Sequence, residues 1–328
     1  MKQRQVGTLL VLALVASFLM SSCVSMRFKL SDYTDPLEEN TLSGSGRDQV
    51  VVIPVKGFIT DEAEDGMMRR KPSLVTEVVS HIHKAANDPS VKAVVLKVNS
   101  PGGTATGSDI LYHEIQKLKQ SRNMPIVVSM MGVAASGGYY ISLPADHIVA
   151  HQTTITGSVG VVFIRPKLMG LMDKIGVEIE TSKSGKDKDM GSPFRPTTNT
   201  EVESFQTITD ELAGLFQSRV RNHRHLKPSA LSEVTTGKVF TASQALRLGL
   251  VDEIGFTDDA IARAKTLAGL DPDARVVMYR RIEFANDNIY NNVTASSQSG
   301  SRLLDMGPLN AISDIKPGFY YAWPAAVQ

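Results

Sequence analysis

A single cysteine, Cys23, leaves the chain no partner for an intrachain disulfide and no thiolate set for a metal site. Charge of one sign is missing too: 35 Lys and Arg stand against 34 Asp and Glu, a formal net charge of +1. Such a balance offers no basic face to hold nucleic acid. The seven histidines are scattered. Their two close pairs, His81/His83 and His223/His225, have i,i+2 spacing and not the HExxH spacing of zinc peptidases. Residues two apart on a helix point to different sides, so solvated histidines are expected there. The run GGTATG at 102–107 has no lysine after its last glycine, which argues against a phosphate-binding P-loop. Neither a metal nor an organic cofactor is expected.

What is present begins at the N-terminus. Lys2 and Arg4 precede an apolar run from Val6 to Met20, followed by Leu19-Met-Ser-Ser-Cys23. A basic start, a short apolar stretch and small residues before a cleavage point form a secretory signal. The run is short for a spanning helix, which needs about twenty apolar residues. The small-small-Cys ending resembles a bacterial lipobox, with Cys23 as the lipidated residue; an uncleaved anchor helix is the alternative. Both readings tether the chain to a membrane and place the rest outside the cytoplasm. The expected organisation is a signal over 1–22, a polar tether over 23–48, one folded domain over 49–270 and a C-terminal extension, partly mobile, over 271–328.

Between 50 and 270 the hydrophobic pattern alternates strand and helix. Strands are expected at Val50–Val55, Val91–Val98, Pro125–Met130 and 145–150, with helices over 73–86, 107–121, 166–174, 201–222 and 240–250. Val276–Tyr279 reads as one last strand, 290–302 is rich in Asn, Ser and Gly, and Pro317–Pro324 reads as a docking tail carrying the sole tryptophan. The alternation is that of an α/β domain with largely parallel pairing, in which ligands meet the loops at the carboxyl ends of strands.

The stretch Gly132-Val-Ala-Ala-Ser-Gly-Gly-Tyr-Tyr140 lies at such a strand end. Its small residues permit close backbone approach. A hydroxyl at Ser136 would be presented at the strand-to-helix corner, with the Gly137 amide beside it as one oxyanion donor. Asn99-Ser-Pro-Gly-Gly103 ends another strand and offers the Gly102 or Gly103 amide as the second. A serine hydroxyl needs a base, either a histidine or a neutral lysine. His147 and His151 are the histidine candidates. The lysine candidates lie in Lys183-Ser-Gly-Lys-Asp-Lys-Asp189; if that segment runs extended, Lys186 and Lys188 share one face and Asp187 and Asp189 the other. Lowering a lysine from about 10.4 to 7–8 costs roughly 3–4.5 kcal/mol, which burial can impose and an exposed loop cannot.

Five ordered motifs, NSPGG (99–103), AASGGYY (134–140), TGSVGVV (156–162), SGKDKDMGSPFR (184–195) and GKVFTASQALRLGLVDEIG (237–255), resemble signal peptide peptidase A. This is the membrane-bound serine peptidase family also called protease IV, and the length is similar to its short, single-unit members. The resemblance implies a Clp protease/crotonase-like spiral of ββα units and a Ser–Lys dyad. It implies Ser136 as nucleophile, Lys188 as general base, Ser158 as the residue orienting the lysine, and Gly137 with Gly102 or Gly103 as the oxyanion hole. The family motif usually reads Gly-Lys-Tyr-Lys-Asp; here Asp187 replaces the tyrosine, an acid beside the base, which leaves Lys186 as the second candidate. The resemblance further implies a homo-oligomeric ring whose protomers share active sites, with Ser136 and Lys188 apart in one chain. Peptide substrates, cleaved signal peptides among them, a bacterial cell-envelope location and no nucleic-acid partner complete the expectation. Two other readings are an inactive ring-forming membrane scaffold, supported by Asp187, and a crotonase-type acyl-CoA enzyme, which the secretory signal disfavours.

Overall fold

The computed structural model describes residues 35–65, 70–281, 289 and 318–326. Met1–Asp35 is a unit separate from Pro36–Gln328. The expected signal, Cys23 and most of the expected tether lie outside the described residues, among which no helix is long and apolar enough to cross a membrane.

The strands are β1 (Glu38–Ser43), β2 (Ser45–Lys56), β3 (Glu64–Asp65), β4 (Arg70–Lys71), β5 (Val91–Ser100), β6 (Gly102–Thr104), β7 (Ile126–Ala135), β8 (His147–Ala150), β9 (Ile155–Gly157), β10 (Val162–Ile164), β11 (Val239–Thr241), β12 (Glu253–Ile254), β13 (Ala274–Arg280) and β14 (Gly318–Ala322). The helices are α1 (Leu74–Asn87), α2 (Ala105–Arg122), α3 (Gly137–Tyr140), α4 (Met169–Ile175), α5 (Asn199–His223), α6 (Pro228–Val234), α7 (Ala242–Leu248) and α8 (Thr257–Leu267). The main sheet runs β1-β13-β2-β5-β7-β8-β12, with β9 on β7 and β11 on β9. All its pairs are parallel except β1 with β13 and β9 with β11.

The central strands are apolar runs because both their faces are covered. Val51, Ile53 and Val55 of β2 enter the larger core beneath α1 and α2, while Val50 and Val52 face α8. Helix ends follow local chemistry. Ser73 Oγ accepts the Thr76 amide at 3.0 Å to start α1, Thr241 and Gln244 form a capping box on α7, and Gly249 at φ 81° ends that helix.

One feature of the sheet positions the site. β7 is long enough to have two neighbours on the same side: Val127–Met130 pair with β8, and Val133–Ala135 pair with β9. Thr154 sits at this fork, its Oγ1 donating to the Met130 and Met131 carbonyls at 3.1 and 2.6 Å. The strand therefore carries Ser136 beyond the reach of β8, to the end of the stretch that β9 flanks.

The folded unit extends beyond both expected boundaries. Residues 38–48, expected in the tether, form β1 and the start of β2, and β13 lies between β1 and β2. Local polarity hid them, since outer strands keep one face in solvent. The tail is not peripheral either: β14 is the middle strand of a separate sheet, β10-β14-β6. Two histidines expected in solvent are packed. His81 is buried against Glu77 at 3.4 Å and edge-on to Tyr279, and His223 bonds the Tyr112 hydroxyl at 2.7 Å. Tertiary partners overrode the i,i+2 argument, which considers one helix by itself.

Candidate active site

Ser136 stands at the corner between β7 and α3 with φ 51° and ψ −114°, a conformation costing about 1–3 kcal/mol for a residue with a side chain. The fold holds it there from both sides. Its amide donates to the Gly157 carbonyl at 2.8 Å, and its carbonyl accepts the Tyr140 amide at 2.8 Å. The side chain is buried, yet Oγ has no hydrogen-bond partner among the described residues. A buried, unpartnered hydroxyl is disfavoured unless something else uses it.

Ser158 repeats the device on the neighbouring strand. The parallel register of β7 and β9 ends at Ala135 opposite Gly157, so Ser158 follows in step with Ser136. It too has a positive φ, 54°, and its amide is held by the Lys238 carbonyl at 2.9 Å. Two adjacent parallel strands thus end in two strained serines.

Glycine backbone closes the corner. Gly102, at φ 99°, touches Gly137: a Cβ on Gly102 would lie 2.6 Å from the Gly137 nitrogen and would collide with the Tyr321 carbonyl oxygen. A Cβ on Gly137 would meet that same oxygen at 2.9 Å and collide with Ser108 Oγ. Gly103 packs backbone-on-backbone against Ile59, and Gly138 against the Ser100 carbonyl. As first residue of α3, Gly137 has an amide with no intrahelical acceptor. The Gly102 amide donates to Ser100 Oγ at 3.1 Å, and that hydroxyl donates to the Gly57 carbonyl at 2.6 Å.

Lys188 is elsewhere. It lies in a run of turns between α4 and α5, with Lys186, Asp187 and Lys188 all exposed. The segment is not extended: the Lys188 amide turns back to the Gly185 carbonyl at 3.2 Å and the Met190 amide to Asp187 at 3.0 Å. An ionic staple causes the fold-back. Asp189 accepts from Arg195 Nε at 2.7 Å and from Lys183 Nζ at 2.8 Å, and Arg195 also donates to both Glu201 oxygens. Arg195, and after it Lys183, holds the Asp189 carboxyl far below the usual range. Arg195 and the Thr198 amide bring Glu201 down to about 2. Asp187 takes no part in this staple. Ser136 and Lys188 are therefore not brought together within one chain.

The histidine candidates are engaged away from the corner. His147 bonds Glu253 at 2.9 Å, and His151 bonds Thr153 at 2.9 Å and lies edge-on to Phe256. Sequence reasoning missed an aromatic nest beside the corner. Tyr140 packs on Tyr112, Phe216 and Tyr321, with centroids 5.2, 4.9 and 5.1 Å away, and its hydroxyl donates to Asp109 at 2.6 Å. Tyr140 was visible in AASGGYY; its partners come from three other elements.

A strained serine with an unengaged hydroxyl, ringed by close-packed glycine backbone at a strand end, defines a serine hydrolase type of site. The comparisons with known proteins narrow the class. The profile of peptidase family S49 matches residues 118–271. A protein of Enterococcus faecium named as a signal peptide peptidase SppA is 32% identical over 291 residues, covering 87% of this chain and 84% of that one. A protease of Methanocaldococcus jannaschii is 38% identical over 206 residues, 63% of this chain and 66% of its own length. Protease 4 of Haemophilus influenzae is 33% identical over 80% of this chain, which spans 42% of it. The chain belongs to peptidase family S49 and is an SppA-type serine peptidase.

Proposed function

We propose that this protein is a membrane-tethered serine endopeptidase with a Ser–Lys dyad, built on a Clp protease/crotonase-like spiral and acting on cleaved signal peptides or other membrane-associated peptides outside the bacterial cytoplasm. The observation that carries the reading is the buried Ser136 hydroxyl, without a partner among the described residues, at a strained corner beside the Gly137 amide. Ser136 Oγ attacks the peptide carbonyl, an amine takes its proton and returns it to the leaving nitrogen, and water then hydrolyses the acyl-enzyme. The Gly137 amide steadies the oxyanion, with the second donor from the Gly102–Gly103 strand.

The amine is Lys188 of a neighbouring protomer in a homo-oligomeric ring. Seated beside Ser136 of the next subunit it would leave solvent, and burial disfavours the charged form of a lysine. Ser158, level with Ser136 just past the end of β9, orients it. Large apolar side chains left exposed on the same stretch, Leu171, Ile175, Val177 and Ile179, support a covered face there. Co-assembly tests this arrangement. Ser136→Ala and Lys188→Ala rings are each inactive toward an apolar fluorogenic peptide, and mixing dissociated subunits of the two restores a fraction of wild-type turnover. Full activity of Lys188→Ala alone ends the dyad.

A further inference from the structure

The two strands that lead into the corner do not run in step to their ends. β5 and β7 pair residue for residue from Val94 with Ile126 to Val98 with Met130, and the next pair is Ser100 with Ala134. One residue of β5, Asn99, therefore faces three of β7, Met131, Gly132 and Val133. A straight continuation would put Ser100 opposite Gly132 and carry Ser136 and Gly137 two residues, roughly 6–7 Å, past Gly102. Absorbing the excess in a bulge draws them back. Gly102 then meets Gly137, and a Cβ on it would lie 2.6 Å from the Gly137 nitrogen.

A bulge leaves backbone groups without ladder partners, and they need other ones. Side chains supply them from both flanks. Towards β9, the Thr154 hydroxyl bonds the Met130 and Met131 carbonyls. Towards β5, Asn99 Oδ1 accepts the Val133 amide at 3.1 Å. Asn99 is itself fixed, because its carbonyl accepts the Gly57 amide at 3.1 Å. The contact also orients its side-chain amide, since a flipped group would set donor against donor. Thr154 is fully buried, whereas Asn99 is half-buried.

We infer that Asn99 is a positioning residue for the peptidase reaction: its side-chain oxygen pins the bulge that sets Ser136 and the Gly137 amide level with Gly102 and Gly103. The nucleophile and one proposed oxyanion donor follow β7, and the other donor follows β5. The register between those two strands therefore fixes the spacing of the reacting groups. Asn99 bonds backbone and not the reacting atoms, so its loss slows the chemical step without weakening peptide binding. This rests on the peptidase reading above.

The test compares full-length Asn99→Leu, similar in size but lacking the acceptor, with Asn99→Asp, which keeps it. Turnover of an apolar fluorogenic peptide is measured across substrate concentrations, beside the thermal midpoint. Asn99→Leu is expected to lower kcat roughly 10–100-fold with KM within about twofold of the parent, and Asn99→Asp to keep kcat within about threefold. Asn99→Ala, which removes the acceptor without adding apolar bulk, should fall with Asn99→Leu. The midpoint should move little, because water can reach a half-buried site and take over the freed Val133 amide. A second arm needs no catalysis. Hydrogen exchange at the Val133 and Ser136 amides should quicken about tenfold or more in Asn99→Leu and not in Asn99→Asp, while Val94–Val98 stay as slow as in the parent.

Unchanged kcat in Asn99→Leu and Asn99→Ala overturns the proposal, and so does an equal loss in Asn99→Asp. A loss carried by KM overturns it too, since Asn99 then serves binding. Faster exchange throughout the sheet, with a midpoint lowered as by a core truncation, reduces Asn99 to a general structural role. A parent chain without turnover defeats the peptidase reading; faster exchange confined to Val133 and Ser136 in Asn99→Leu then still upholds the pin.

Discussion

The Ser136 corner and the Lys188 loop carry the two halves of one proposed reaction, and they are built on opposite principles. The corner is buried, held by backbone bonds to β9 on one side and to α3 on the other, and strained at two serines. The loop is exposed, made of successive turns, and held by a single charged cluster around Arg195. A nucleophile must be fixed before substrate arrives, because misplacement by an ångström costs on the order of 100-fold in rate. A base supplied by a neighbouring subunit, as proposed here, needs to be placed only when the subunits meet.

The largest effects should come from the corner. Ser136→Ala is expected to lower turnover about 10³-fold or more, with the thermal midpoint unchanged, as read by a fluorogenic assay and calorimetry. Ser136→Gly should be equally inactive but more stable by about 1 kcal/mol, because glycine tolerates φ 51°; a destabilised glycine variant would show that the corner holds no strain. Gly102→Ala should cost about 2–4 kcal/mol, measured by urea denaturation, since its Cβ collides with the Tyr321 carbonyl and crowds the Gly137 amide.

Arg195→Ala probes the loop and should invert the pattern. Its effect on the thermal midpoint is expected to be small, while turnover falls roughly 10–100-fold as the turn bearing Lys188 loses its anchor. Arg195→Lys should recover only part, because one ammonium cannot serve Asp189 and Glu201 as the guanidinium fork does. A drop in midpoint comparable to that of a core truncation would erase the contrast between the two regions.

The smallest effects are pH-linked and sort the regions by burial. Burial raises the Asp252 carboxyl, but Arg224 outweighs it, leaving the folded value below the usual one of 3.8. Stability from this pair is therefore complete above pH about 4 and is lost as pH falls through the lower folded value. His223, a base where Asp252 is an acid, is shifted in the same direction. Burial first, then Lys119, Arg219 and Arg224, depress its folded value below 6.5, so protonation favours the unfolded chain. Its contribution is complete above pH 6.5 and declines as pH falls below it. Denaturant midpoints at pH 7.5 and 5.5 should differ less in His223→Gln than in the parent chain.

Much of this was legible from residue order. Val50–Val55, Val91–Val98 and Pro125–Met130 announced central strands because buried parallel strands need apolar side chains on both faces. Ser73, Thr241 and Gly249 marked helix ends because capping is chemistry between near neighbours. The glycines at 102, 137 and 138 marked the corner because only a missing Cβ permits that approach. The outer strand β1 was obscure, since a half-polar sequence at the rim carries little signal. The compact turns around Lys188 were hidden for a different reason: they depend on Arg195 reaching back to Asp189, an arrangement that spacing does not encode.

The sequence by itself determined the parallel core, the helix caps and the small-residue corner at Ser136, because each depends on contacts between residues close along the chain or on a simple repeat. Only the tertiary structure decided that β9 would bring Ser158 level with Ser136, that His81 would be buried, and that the last strand would lie across Gly102 and Gly137. Those outcomes follow from packing between segments far apart in the chain, where the free energy belongs to the pair and neither partner's local sequence records it.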